Sequence, residues 1–297
     1  MKYLFIVNPK AGKGRGLQYI ENIKHIIDNK IDYRIEVTNK SGHATEIARK
    51  YSHDEEYIIC SVGGDGTLNE VVNGMAGGKS TLAIIPTGSG NDFVRTIYPK
   101  YILKDLFSKV ICGDTKLVDL IKINEKYFLN IASVGLDADV AYNAIKFKKN
   151  KFISGSMAYM LSVFKTLLNK RGTWVKLNID GTQYDYKKLL LIAISNGKSY
   201  GGGIHITPQA EVDDGFADIC MIENLRLLRI FRMMPKLFRA QHLQVKEVKM
   251  YKAQEIEIEG RSEFKVNVDG EIVSASNIKI QVIPKALKII IPKFDVL

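Results

Sequence analysis

The sequence predicts an α/β amino-terminal domain with a parallel sheet and glycine-rich phosphate loops, followed by a mainly antiparallel β domain with helical insertions. Three observations carry this expectation. Near-continuous apolar runs alternate with helical stretches up to about Val118. Three of those runs end in glycine-rich loops. Beyond them, apolar and polar positions alternate with period two, as in an antiparallel sheet with one wet face.

In chain order, Tyr3–Asn8 (YLFIVN) reads as a strand, Gly16–Ile27 as a helix, Arg34–Thr38 as a strand and His43–Tyr51 as a helix. Tyr57–Val62 (YIICSV) and Leu82–Pro86 (LAIIP) are further strands, with the helix Leu68–Met75 between them. The alternating segments follow: Thr173–Asp180, Glu255–Glu259, Glu263–Val268 and Ile278–Ile283. Helices are expected at Ser154–Leu168 and Leu225–Phe238. The expected division is a nucleotide domain over residues 1–118, which residues 286–297 can complete, and a second domain over 119–285.

A chain of 297 residues can bury two cores. Its 46% hydrophobic and 25% charged residues argue against disorder. No apolar run reaches the ~18 residues of a membrane span, and the start lacks the pattern of a signal peptide, so a cytoplasmic location is expected. Cys60, Cys112 and Cys220 stand apart with no CxxC pair, which predicts buried structural thiols. The net charge of +11 calls for an anionic partner: a nucleotide, nucleic acid or lipid headgroups.

The chemistry gathers past the strand ends. Strand one runs into Asn8-Pro9-Lys10-Ala11-Gly12-Lys13-Gly14-Arg15-Gly16, where glycines let backbone N–H groups approach an anion and Lys13 adds charge. The third strand leads into Gly63-Gly64-Asp65-Gly66-Thr67 and the fourth into Thr87-Gly88-Ser89-Gly90-Asn91-Asp92. Each precedes a helix, whose amino terminus favours phosphate. Neither GxGxxG nor GxxxxGK[ST] is present, which excludes the dinucleotide fingerprint and the P-loop. Asp65 and Asp92 would repel a bare polyphosphate, so Asp65 is read as a magnesium residue and Asp92 either as its companion or as a helix cap.

These loops carry a resemblance. NPKAGKG from Asn8, SGHATEIA from Ser41, GGDGTLNEVVNG from Gly63 and PTGSGNDF from Pro86 are similar to the diacylglycerol kinase catalytic-domain family, which includes sphingosine and ceramide kinases. NIASVGLDADV from Asn130, SNGKSYGGGIHITPQAEVDDGFADI from Ser195 and NVDGE from Asn267 extend it over nearly the whole chain. Ser89 replaces a usual glycine. The likeness is greatest to the family's soluble bacterial members. It implies ATP as donor, Mg²⁺, and transfer of the γ-phosphate to the primary hydroxyl of a membrane lipid, with diacylglycerol favoured. Phosphatidylglycerol, a monoacylglycerol, a sphingoid base, or a sugar or nicotinamide nucleotide acceptor stand as alternatives.

Carried onto this chain, the resemblance implies nucleotide contacts from Asn8, Thr38, Gly66, Thr67 and Glu70, beside Pro9, Lys13, Gly63, Gly64, Asp65, Thr87, Gly88, Asn91 and Asp92 of the loops. It implies a magnesium and water network through Asp65 and Asp119, and Asp269 as general base. It also implies a second, structural cation held by Asp214 and the carbonyls of Glu211 and Phe216. From the residues alone, Asp213–Asp218 reads equally as a charged turn and Asp269-Gly270 as an ordinary hairpin turn.

His205 is read as a structural or substrate-cleft residue, since no partner stands at ligand spacing. The absence of GxSxG removes a lipase reading, and nucleic acid is not an expected partner because no recognised motif is present. Phe152, Met157, Tyr159, Met160, Val163, Phe164, Leu167 and Leu168, next to Lys146, Lys148, Lys149 and Lys151, suit either a lipid surface or a sheet-covering pair of helices. Arg226, Arg229, Arg232, Lys236 and Arg239 fall near one helical stripe, which predicts peripheral contact with an anionic membrane. A homodimer is left open.

Overall fold

The apolar run after Lys2 becomes β1 (Lys2–Val7), and every residue after Lys2 in it is buried. The computed structural model describes residues 2–27, 31–98, 103–148, 155–168 and 172–293. After β1 come α1 (Arg15–Ile26), β2 (Tyr33–Val37), α2 (His43–Asp54), β3 (Tyr57–Gly63), α3 (Asp65–Met75), β4 (Thr81–Pro86), α4 (Asp92–Ile97) and α5 (Leu103–Ile111). β1 pairs in parallel with β2 and β3, and β3 in parallel with β4. Ile23 of α1, Ala48 of α2, Val71 and Val72 of α3, Phe93 of α4 and Phe107 of α5 join these strands in one core. Strands buried on both faces explain why the runs lack polar alternation.

The rest of the chain forms β5 (Asp114–Ile123), β6 (Lys126–Phe128), β7 (Ile131–Gly135), α6 (Leu136–Lys148), α7 (Gly155–Leu168), β8 (Thr173–Ile179) and β9 (Thr182–Ser195). Then come β10 (Ala217–Glu223), α8 (Leu227–Phe238), β11 (Val248–Ala253), β12 (Glu255–Val268) and β13 (Glu271–Ile291). These strands pair with one another antiparallel. The segments EIEIE and EFKVNV, expected as two strands, are one, with a register irregularity between Glu259 and Phe264.

Among the described residues thirteen strands form one sheet, with the main order β11-β10-β9-β7-β12-β13-β4-β3-β1-β2. β13 joins its halves. Glu271–Gln281 pairs antiparallel with β12, while Lys288 and Ile289 lie parallel to Thr81 and Leu82 of β4. β13 changes register between Ile283 and Leu287, opposite Leu120 and Val118 of β5. The hydrophobic cores part at the same place: Leu287 and Ile289 join the first, Ile280 and Val282 the second. Phe294–Leu297 lie outside the described residues.

Cys60 and Cys220 are buried, and burial pushes both thiols up, Cys220 to about 12. Cys112 is exposed, contrary to the expectation of three buried thiols, because it follows the last turn of α5 instead of entering a strand.

The seam between β13 and the first domain is held by Tyr98. Its ring is fully buried and its hydroxyl donates to the Ile290 carbonyl at 2.8 Å. Tyr98→Phe strands a buried acceptor and should cost about 1–3 kcal/mol of unfolding free energy. Denaturant unfolding checks this; a variant as stable as the parent would contradict the role assigned to the hydroxyl.

Candidate active site

The ends of β1, β2, β3 and β4 open on one crevice, together with the start of α3. Asn8, Pro9, Lys10, Ala11 and Gly12 line one wall, Thr38, Ser41 and Ala44 a second, and Gly64, Asp65, Gly66, Thr67 and Glu70 a third. Gly88, Ser89 and Gly90 close it, with Asp269, Gly270 and Glu271 at the far side. The first loop is fixed by Asn8, whose amide Nδ2 donates to the Thr67 hydroxyl at 2.9 Å and whose Oδ1 accepts from the Lys10 N–H at 3.0 Å. Gly64 and Gly88 lie back to back; a Cβ on Gly88 would come within 2.5 Å of the Gly64 Cα. A Cβ on Gly64 would stand 3.2 Å from the Gly88 Cα, so it is chiefly the missing side chain of Gly88 that lets the loops after β3 and β4 meet.

Asp65 opens α3. Its two carboxylate oxygens accept the N–H groups of Asn91 and Asp92, each at 2.8 Å. The acid therefore binds the Thr87–Asp92 loop and holds the amino terminus of α4. Each oxygen accepts one donor and retains a lone pair. Asp92 makes no cap on its own helix. Both its oxygens accept the Gly202 N–H at 3.0 Å, which ties α4 to the second half of the chain. Burial raises the Asp92 carboxyl above the ordinary range, and the Gly202 amide opposes this. Glu70 accepts from the Ala44 N–H and the Ser41 hydroxyl, both at 3.2 Å, so it holds the start of α2 at the crevice wall.

Asp269 and Gly270 form the two-residue turn between Val268 of β12 and Glu271 of β13. Both have positive φ, 46° and 92°, as a mirror-image hairpin turn requires. The hairpin reading is thus right for the backbone, while the side chain has a second task. Asp269 Oδ1 accepts the Ile131 N–H at 2.8 Å, and Oδ2 accepts those of Leu129 at 3.0 Å and Asn130 at 3.3 Å. The Asn69 side chain of α3 adds a donor at 3.4 Å. Burial pushes this carboxyl up to about 6, against the lowering effect of those donors.

Asp269 also lines a second cavity, with Leu68, Phe93, Ile131, Asp137, Ala141 and Tyr200 among its other walls. Asp65 and Gly270 are shared by both spaces. Asp137, in the first turn of α6, accepts from the Ser133 hydroxyl, and burial pushes its carboxyl up to about 6.

Not every expected residue reaches the site. Gly63, Thr87 and Asn91 shape the loops without lining the crevice, and the Lys13 side chain lies outside what the structure describes. Gly63 presents its carbonyl to the Thr87 and Gly88 amides, and Asn91 binds the Gly88 carbonyl. Asp119, expected in a magnesium network, is fully buried and lines neither cavity. Its oxygens accept the N–H groups of Gly215 at 2.7 Å and Lys285 at 2.8 Å, where β13 changes register. Asp214 accepts from the Phe216 N–H with one oxygen and pairs with Lys252 through the other. The Lys252 ammonium thus stands on the carboxylate expected to hold a structural cation with the Glu211 and Phe216 carbonyls. Among the described residues no three His, Cys, Asp or Glu side chains gather to hold a metal. His205 is exposed and lines neither cavity.

Asn69, Asn73 and Asp137 join the site without having been expected there. Asn69 and Asn73 stand one turn apart on α3, and Asn73 binds both the N–H and the carbonyl of Tyr127, joining α3 to β6. Their signal was the polar i, i+4 row Asp65, Asn69, Asn73 on a helix otherwise rich in Leu and Val. Of the shell expected around Phe152, the residues 149–154 lie outside the description, as do the side chains of Lys146, Lys148, Met157, Tyr159, Met160 and Phe164.

Because Asp65 carries two amides, Asp65→Asn is not expected to leave the fold untouched. Its NH₂ would face one N–H donor, loosening the loop. Melting should fall by about 1–3 kcal/mol in free energy, with weaker nucleotide binding. Calorimetry reads both, and a variant unchanged in each would contradict the clamp.

The matches to known proteins agree with this arrangement. The diacylglycerol kinase catalytic domain model matches residues 2–123, and the YegS C-terminal NAD kinase beta sandwich-like domain model matches residues 130–291. A Staphylococcus aureus diacylglycerol kinase is 32% identical over 79% of this chain and 74% of its own. A solved Bacillus anthracis structure, provisionally assigned as a diacylglycerol kinase, superposes with a TM-score of 0.79 at 29% identity, covering 100% of this chain and 98% of its own. An Archaeoglobus fulgidus NAD kinase solved with ATP shares the fold at a TM-score of 0.50 and 12% identity, covering 98% of this chain and 93% of its own. The chain belongs to the diacylglycerol kinase family.

Proposed function

We propose that this enzyme transfers the γ-phosphate of ATP to the primary hydroxyl of a membrane lipid, with diacylglycerol as acceptor and phosphatidic acid as product. One observation carries the reading: the Asp269 carboxylate lies in the wall common to a glycine-lined crevice and a second cavity bearing Leu68, Phe93, Ile131 and Tyr200. A proton acceptor between a polar anion cradle and a partly apolar space suits an alcohol attacking a phosphoryl group.

The crevice offers backbone at Gly64, Gly66, Gly88 and Gly90, and the amino terminus of α3, to the phosphates. Magnesium usually takes one or two carboxylates together with substrate phosphates. Asp65, with a lone pair left on each oxygen and a place on the crevice wall, fits that demand. When bound, the ion offsets phosphate charge.

Asp269 takes the acceptor's hydroxyl proton as the oxygen–phosphorus bond forms and the bond to the β-phosphate breaks, leaving ADP. Oδ1 accepts a single amide and keeps a lone pair for that proton. The amides of residues 129–131 and Asn69 hold the carboxylate's orientation. The neighbouring Glu271 instead pairs with Lys126 at 3.1 Å, with both side chains exposed. Peripheral attachment to a membrane is part of this reading, because the acceptor lies there.

Labelled ATP with diacylglycerol, monoacylglycerol, phosphatidylglycerol and sphingoid bases in mixed micelles, beside sugars and nicotinamide nucleotides, tests the acceptor. Phosphatidic acid should dominate; label in a soluble acceptor alone would contradict the lipid reading. Asp269→Asn should lower turnover by roughly two to four orders of magnitude. Melting should fall as well, since one amide loses its acceptor. Retention of more than about a tenth of turnover would rule Asp269 out as base.

A further inference from the structure

Helix α8 is divided into three sectors. At ~100° per residue, Ile230, Met233 and Leu237 fall together, and they are buried in a core shared with Ile131, Leu191 and Ile222. The next sector holds Leu227, Phe238, Phe231 and Leu228, and all four are exposed, Leu228 by 71%, Phe238 by 59% and Phe231 by 52%. Arg239, Arg232, Lys236 and Arg229 complete the circle. Arg229 is tied to Glu247 at 3.2 Å, whereas Arg232, Lys236 and Arg239 form no ion pair among the described residues. The helix contains no acid. A concavity beside it is lined by Arg232, Lys236, Gln244 and Lys246.

The basic stripe expected from the sequence is thus only half of the surface. Arg226 precedes the helix, and an uncovered apolar row runs along the three remaining cations. A second copy of this face would bring cation against cation on a chain of net charge +11. A leaflet with anionic headgroups satisfies both rows at once, with acyl chains for Leu and Phe and phosphates for Arg and Lys.

We propose that α8 docks the protein on an anionic bilayer, with Leu227, Leu228, Phe231 and Phe238 entering the acyl boundary and Arg232, Lys236 and Arg239 meeting lipid phosphates. This rests on the lipid-kinase reading for its purpose alone, because docking is measured without nucleotide or acceptor.

The full chain is sedimented with phosphatidylcholine vesicles and with vesicles containing phosphatidylglycerol, at low and high salt. Binding should require phosphatidylglycerol and weaken with salt. Leu228→Ser with Phe231→Ser, and separately Arg232→Glu with Lys236→Glu, should each lower vesicle partitioning at least tenfold. Melting and turnover on a dispersed short-chain diacylglycerol should stay the same. The fluorescence of Leu228→Trp should shift to the blue on adding the anionic vesicles. Equal binding to both vesicle types, no binding to either, parental binding by either double variant, or an unshifted Leu228→Trp would each overturn the proposal. Docking with no lipid phosphorylation would instead leave α8 intact and remove the kinase reading.

Discussion

The site depends on one half-buried carboxylate being held by main-chain amides. Asp269 sits at a hairpin tip, where an acid would ordinarily point into water. It turns inward because Leu129, Asn130 and Ile131 present three successive N–H groups to it. That segment is itself fixed, since the Asn130 carbonyl accepts the N–H groups of Asn196 at 2.8 Å and Gly197 at 3.1 Å. Burial and hydrogen bonding pull the Asp269 carboxyl in opposite directions, and burial prevails, leaving it at about 6. A base near neutrality is mostly ionised yet still has appreciable proton affinity.

The same device recurs where segments far apart in sequence must meet. Asp65 joins the loops after β3 and β4, Asp92 joins the first half of the chain to Gly202, and Asp119 holds the register change of β13. Hydrogen bonds to ionised acceptors are stronger than neutral ones, so a few of them can hold loops that have little apolar surface. The cost has a definite sign. A carboxyl raised in the folded state favours folding while protonated, and that contribution is lost as pH rises through its folded value, about 6 for Asp269 and Asp137. At neutral pH these charges therefore weaken the fold, while ionisation is what the base role proposed for Asp269 requires.

The strands and loops that bear the crevice were legible because their signals are local: apolar runs, glycines at their ends, helices after them. Which amide an acid would bind was not. Asp65 and Asp92 both looked suited to magnesium, yet the donors to Asp92 stand on a loop 110 residues away. The Asp214–Lys252 pair depends on β11 lying beside β10, with Lys252 opposite Asp218, a register that no spacing in the sequence reveals. Periodicity found the basic side of α8 but could not divide its apolar side into buried and exposed rows, because that depends on what the rest of the chain covers.

The proposed removal of the acceptor's proton by an anchored, half-buried Asp269 is open to test through the pH dependence of kcat/KM. The carboxylate works only when ionised, so kcat/KM should fall about tenfold per pH unit below about 6 and level off above it. The acid limb should persist in Asp137→Asn, whose own carboxyl would otherwise titrate in the same range. A limb near the ordinary aspartate value of about 4, or one that vanishes with Asp137, would contradict this role for Asp269.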